Sequence, residues 1–520
     1  MRTLLISSLL LVAAISNAQT SDSDWEQFHQ NPSSSMRLIP IKYDKAGKKV
    51  KARTDSLFSD KHIDSKSFLK VKFEARQQLK ATTSPGINAY AGTSNIKARI
   101  SNFLDLKEFQ EKNITPVFSL KEIEQQNLLS AKLDKVPWSD TYWPLYKGGL
   151  GARYSSASFE AVGVNWESYQ SAVLGNNSLT QVVERNDPTE IAALSPSEKY
   201  DLLIGRPEKR TNTPEGFLTP HMWEDGKQYW ERTGDVETWM GLCHGWAPAA
   251  FMAEAPLDGV TAPSAVEGLN LQFFPSDLKG LLTFSWATSM YDSKMIGGRC
   301  NLTDVKTDEA TGRILDEECF DVNPGVWHLA IINQIGKAKR SFVLDASFDY
   351  EVWNQPLQSY SIQYINPETA VTYSSFEQAK IALRDYKKDK FTRWRSAQTK
   401  EVVGVKMQVT YVVENSPSHD LTDSVPVTRT VNYAYDLELD AKGEVIGGEW
   451  HMQAHPDFLW LPRANAKALS AGDSALENSD WDVNQPLPEF WRHIAVRTAE
   501  NYGQVVTRIT ESLVDESRKQ

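Results

Sequence analysis

At about residue 325 the periodicity of the chain changes. Earlier segments such as "SEKYDLLIG" and "DGKQYWERTG" carry helical spacing. Beyond that point "VWHLAIINQ", "SFVLDASFDYEVW", "VVGVKMQVTYVVE" and "TRTVNYAYDLELDAKGEVIGGEW" are rich in β-branched and aromatic residues, and "DAKG" predicts a hairpin turn. Helices followed by a run of antiparallel strands predict an α+β fold. At 520 residues and 41% hydrophobic the chain can bury a large core, and it shows no internal repeat or low-complexity tract. Aromatic density rises at "VPWSDTYWPLYKGGLGARY", which places the main domain at 136–465. Residues 19–135 are polar and lysine-rich with helical stretches, and read as a pro-segment or a small helical domain. Residues 466–520 read as a polar segment with one helix at "HIAVRTAENYGQVVTRITESLV".

The opening "MRTLLISSLLLVAAISNAQT" has a basic start, a short apolar run and small residues before a cleavage point after Ala18. That predicts a signal peptide over 1–18 and secretion to an extracellular or periplasmic space. The apolar run is too short to span a bilayer, and no later segment approaches that length. The net charge of −11 becomes one unit more negative once Arg2 is removed. An acidic secreted chain is expected to bind neither nucleic acid nor anionic membrane.

Secretion changes how Cys243, Cys300 and Cys319 read. Cys300 and Cys319 flank a short acidic loop that a disulfide closes readily, contributing about 3 kcal/mol in the chain-entropy model. Cys243 is then the odd thiol, in "WMGLCHGWAPAA". Pro248 fits the first turn of a helix starting near Gly245, and a thiol at a helix start has its pKa lowered. A buried structural cysteine fits this stretch equally well. A nucleophilic thiol needs a base, and the base an orienting group. His328, early in the strand expected after Asn323-Pro324-Gly325, is the candidate base, although a histidine so placed is more often a core residue. A two-residue turn at Gly336-Lys337 would put Asp345 opposite it as the orienting carboxylate, with Asp349 as competitor. Trp239, Trp246 and Trp327 flank these residues and could line a tunnel that keeps water from an acyl-enzyme; their alternative role is ordinary core.

Cysteine on a helix, histidine on a strand and aspartate on the next is the layout of a papain- or transglutaminase-like acyltransferase core, with the cysteine helix packed on an antiparallel sheet. Several segments resemble the oomycete-type transglutaminase elicitors, whose relatives also occur in bacteria: "GLCHGWAPAA", "CFDVNPGVWHLA", "YEVWNQPLQSY", "WSDTYWPLY" and "YDLELDAKGEVIGGEWHMQAHPDFLW". The likeness covers about 136–465. It implies a protein-glutamine γ-glutamyltransferase acting on protein glutamine and an amine such as lysine. Cys243 would be the nucleophile, His328 the base and acid, and Asp345 the orienting group. Val352, Trp353, Asn354, Gln355 and Pro356 resemble the surface peptide that plants recognise, but "LQSYSIQY" departs from the more basic oomycete pattern. The chemistry requires no cofactor. The resemblance implies calcium dependence, for which Asp304, Asp308, Glu309, Asp316, Glu317 and Glu318 offer oxygens without EF-hand spacing; a solvated acidic loop is the simpler reading. A papain-like cysteine peptidase would use the same three residues, and a non-catalytic secreted binding protein is the reading from another class.

Overall fold

A computed structural model describes residues 22–32, 96–155, 177–207, 214–233, 236–298, 305–347, 351–452, 454–477 and 479–519. The expected signal peptide therefore lies outside the described residues. The helices that matter for the site are α1 (Ser23–Gln30), α2 (Ile96–Phe103), α3 (Cys243–Met252), α4 (Pro275–Thr288), α5 (Pro324–Ile331), α6 (Glu489–Tyr502) and α7 (Thr507–Ser517). The main strands are β1 (Ser293–Gly297), β2 (Val343–Asp345), β3 (Asn354–Ile365), β4 (Glu401–Val412), β5 (Thr428–Leu439), β6 (Val445–Gly447) and β7 (Phe458–Pro462). They form one antiparallel sheet in the order β6-β5-β4-β3-β2-β7-β1, with three short strands added to β3 and β4. The mixed helix-and-sheet class is as expected, and so is the β5–β6 hairpin, where Gly443 takes φ +75° and Asp440 accepts the backbone N–H of Lys442 and Glu444.

Side-chain alternation along the sheet decides what can meet what. On β2, Val343 packs with Ala247 of α3, whereas Leu344 packs with Trp327, Leu329 and Ile331 of α5. On β7, Phe458 and Trp460 join Ala247, while Leu459 and Leu461 join the α5 cluster. Helices α3 and α5 thus lie on opposite faces of the sheet. The α5 face also receives Ile96, Ile100 and Phe103 of α2 and Phe109, Leu120 and Ile123, so residues before 136 share its core.

Three sequence expectations are corrected. The segment "PGVWHLAIINQ" is not a strand: Asn323 caps α5 through the Gly325 N–H, Pro324 takes the first helical position, and the run continues as a π-helix over Ile332–Lys337. The turn at Gly336-Lys337 therefore does not form. The C-terminal segment holds two helices, α6 and α7, separated at Gly503, whose φ of +58° ends the first. Helix α3 begins at Cys243, two residues earlier than expected, with Pro248 inside it.

Helix α3 is seated by α4. A Cβ on Gly245 would lie 2.2 Å from the Thr283 carbonyl oxygen and 2.6 Å from Ala287 Cβ. Alanine gains about 1 kcal/mol of helix propensity over glycine, but overpacking against backbone costs about 1–3 kcal/mol. Gly245→Ala is therefore expected to lower the thermal unfolding midpoint; an unchanged or raised midpoint would contradict this close approach.

Candidate active site

The start of α3 is pinned from outside. Leu242 N–H donates to the Tyr142 carbonyl at 2.6 Å, and Trp246 Nε1 to the Trp138 carbonyl at 3.1 Å. A Cβ on Gly241 would meet the Tyr142 carbonyl at 2.3 Å, so glycine is needed where the aromatic 138–146 segment crosses. Cys243 is the first helical residue, carries a free thiol and is only 5% exposed.

The "VWNQP" segment forms the wall facing the sulfur. Cys243 Sγ donates to the Val352 carbonyl at 3.7 Å and accepts from Asn354 Nδ2 at 3.3 Å. Trp460 Nε1 donates to Asn354 Oδ1 at 2.7 Å. Asp345 and Asn354 are register partners on β2 and β3. Asp345 Oδ1 accepts from Trp353 N–H at 2.9 Å, Ser347 N–H at 3.2 Å and Ser347 Oγ at 2.7 Å. Trp353 stands edge-on to Tyr142 with 5.3 Å between ring centres. Gln355 Nε2 reaches both oxygens of Glu414, at 2.8 and 3.0 Å.

Burial pushes the Cys243 thiol up to about 11; hydrogen bonds from Asn354 oppose this, and the charges of Glu414 and Asp345 add to it. The helix-start effect expected to lower the thiol is outweighed by desolvation, and the thiol is protonated at neutral pH. Burial likewise holds the Glu414 carboxyl above its ordinary range.

The expected triad is not assembled. Cys243 and Asp345 share one face of the sheet, but His328 sits in α5 on the other. His328 is fully buried, with Nδ1 2.9 Å from the Tyr435 hydroxyl, and burial pushes it down to about 3. Asp345 orients the Val352–Trp353 peptide unit, and Asp349 lies outside the described residues. Trp327 packs in the α5 core and Trp246 is completely buried, so neither lines an approach to the sulfur. Trp239 is nearly buried and bonds Glu237. Trp353 is itself part of this wall, and Tyr142 and Trp460 are aromatic residues in contact with it. Asn354, Gln355 and Pro356 are buried and do not form a surface peptide; Val352 and Trp353 are half-buried. Sequence reasoning missed the parts played by Asn354, Trp460, Glu414 and Tyr142. Asn354, Tyr142 and Trp460 each carried one signal, a place in a recognisable motif, and Glu414 carried none.

Cys319 is disulfide-bonded, and Cys300 lies outside the described residues. Among the described residues the acidic loop shows no gathered set of calcium ligands. Asp308 is taken by Arg393 and Thr311, and Asp316 accepts the Lys306 N–H. Asp304 is outside the described residues, and among those described no three carboxylate, histidine or cysteine groups gather as metal ligands. Among the described residues no helix is long and apolar enough to cross a membrane.

The family model described as transglutaminase elicitor matches residues 224–484, just over half of the chain. None of the curated proteins matches. Among solved structures, the GP42 transglutaminase from Phytophthora sojae matches with a TM-score of 0.41 and 20% identity, over 76% of this chain and 97% of that one. A likeness that loose bears on neither fold nor chemistry.

Two outcomes follow from this geometry. Asp345→Asn keeps an acceptor for Trp353 N–H and removes a negative charge facing the thiol. Iodoacetamide should then label Cys243 about threefold to tenfold faster at pH 8, a shift of about half to one pH unit; slower labelling would contradict the placement. His328 stays neutral in the fold down to about pH 3, whereas in the unfolded chain it takes a proton near 6.5. Stability is therefore lost as pH falls from about 6.5 toward 3, by at most about 1.4 kcal/mol per pH unit from this group. His328→Gln should flatten the fall of Tm between pH 7 and 4.5 and leave Cys243 labelling within about twofold; equal slopes would refute the buried neutral imidazole.

Proposed function

The chain belongs to the transglutaminase elicitor family, and on that premise we propose that it is a secreted protein-glutamine γ-glutamyltransferase with Cys243 as nucleophile. The observation that carries the reading is the free thiol at the first position of α3, inside the matched segment, held between the Val352 carbonyl and the Asn354 amide. Glu414, whose charge acts on the thiol and whose carboxylate is held by Gln355, is the titratable group we assign as base. Moving the proton from thiol to Glu414 keeps the pair at one negative charge, which favours the transfer in a buried site.

The thiolate attacks the carboxamide carbon of a glutamine side chain, forming a C–S bond. The C–N bond then breaks, and ammonia leaves with the proton held by Glu414. A lysine amine attacks the thioester and gives a proton to Glu414, the C–S bond breaks, and the departing sulfur takes that proton back, leaving an isopeptide bond and the resting thiol. Water would complete the same cycle as hydrolysis. The near-complete burial of Cys243 favours transfer over a peptidase-like outcome.

Incorporation of a fluorescent primary amine into casein tests this reading. The intact chain should label casein, Cys243→Ala should not, and Glu414→Gln should be slower by about a hundredfold, the usual order for loss of a general base. Undiminished labelling by Cys243→Ala, or cleavage of casein without labelling, would overturn it.

A further inference from the structure

The two side-on partners of the sulfur favour opposite protonation states. The Val352 carbonyl can only accept, so it holds the thiol form. The Asn354 side-chain N–H can only donate, so it favours the thiolate. Which end of the Asn354 amide faces the sulfur is fixed by a third residue. An indole N–H is a donor without acceptor capacity, so Trp460 Nε1 at 2.7 Å requires Oδ1 on its side and directs Nδ2 to Sγ at 3.3 Å. Asn354 and Trp460 are each 4% exposed, so water does not compete freely for either end. The backbone holds the geometry: Asn354 opens β3 and pairs with Asp345 in the sheet, and Trp460 is central in β7 beside β2.

We propose that Asn354 is the hydrogen-bond donor that makes the Cys243 thiolate accessible, and that Trp460 is the positioning residue that locks the Asn354 amide for that task. The remaining influences on the thiol oppose ionisation. Burial, Glu414 and Asp345 all disfavour a second negative charge, and the Val352 carbonyl would meet a thiolate oxygen-first. Asn354 stands against them, with its side-chain amide ahead of its backbone N–H. The inference rests on the reading of Cys243 as nucleophile, but it concerns the ionisation of the thiol, which can be measured without any acyl substrate.

The test is the second-order rate of Cys243 carbamidomethylation by iodoacetamide across pH 7.5–9.5 in the full chain, with circular dichroism and Tm recorded for every variant. In this range the rate follows the thiolate fraction. Asn354→Leu removes the side-chain donor at similar volume, Asn354→Asp replaces it with an acceptor, and Trp460→Phe leaves the amide in place but unlocked. A hydrogen bond to a charged group corresponds to about one to two pH units. Labelling at pH 8.5 should therefore slow about 10- to 100-fold in Asn354→Leu, at least as far in Asn354→Asp, and about threefold to tenfold in Trp460→Phe, with fold retained. If Asn354→Asp does not fold, Asn354→Leu and Trp460→Phe decide. Rates equal to or faster than the parent's in Asn354→Leu overturn the donor role. A parental rate in Trp460→Phe overturns the positioning role. Amine incorporation run in parallel separates the two levels: its survival in Cys243→Ala sinks the nucleophile reading whatever the labelling rates, whereas its loss there with parental labelling in Asn354→Leu sinks only this inference.

Discussion

One peptide unit, from the Val352 carbonyl to the Trp353 N–H, ties the site to the fold. Its N–H is held by Asp345 at the end of β2, and its carbonyl receives the thiol of Cys243 at the start of α3. The sheet sets where Asp345 and Asn354 stand, because they are partners in one register. The packing of α3 on α4 sets where Cys243 stands, because Gly245 lets the two helices approach within the radius of a methyl group. The sulfur meets the "VWNQP" wall only because both constraints hold together.

Desolvation gives the two faces of the sheet opposite consequences. On one face it raises the Cys243 thiol, with the charges of Glu414 and Asp345 adding to the effect; on the other it lowers an imidazole whose Nδ1 meets a tyrosine hydroxyl. Both groups are neutral at pH 7, so the site as it stands holds a protonated, shielded thiol. Acyl transfer then requires a local proton acceptor and a donor for the ion, the roles proposed for Glu414 and Asn354.

Much of this was legible in the sequence where the signal was local. Glycines around Cys243 and the nearby Pro248 marked a helix start to within two residues. Alternation in "VVGVKMQVTYVVE" and the "DAKG" turn marked β4 and the β5–β6 hairpin. Asp345 was placed on a strand correctly. The failure at His328 has a physical cause: α5 is buried on every side, so its apolar run carries neither helical nor strand period. The Asn323 cap with Pro324 at the first helical position was the signal that could have settled it. The roles of Asn354 and Trp460 arise from strands far apart in the chain, and no local pattern encodes them.

Whether Cys243 carries the acyl group decides the chemistry of the whole site. It can be read by intact-mass spectrometry after acid quench of the chain mixed with a glutamine-containing peptide and no amine, followed by mapping of the adduct. The expected species is heavier by the peptide less one ammonia, with the modification on the fragment that contains Cys243 and lost on adding a primary amine. An adduct on another residue, or no adduct from a preparation that still incorporates amine into casein, would contradict the assignment of Cys243 as nucleophile.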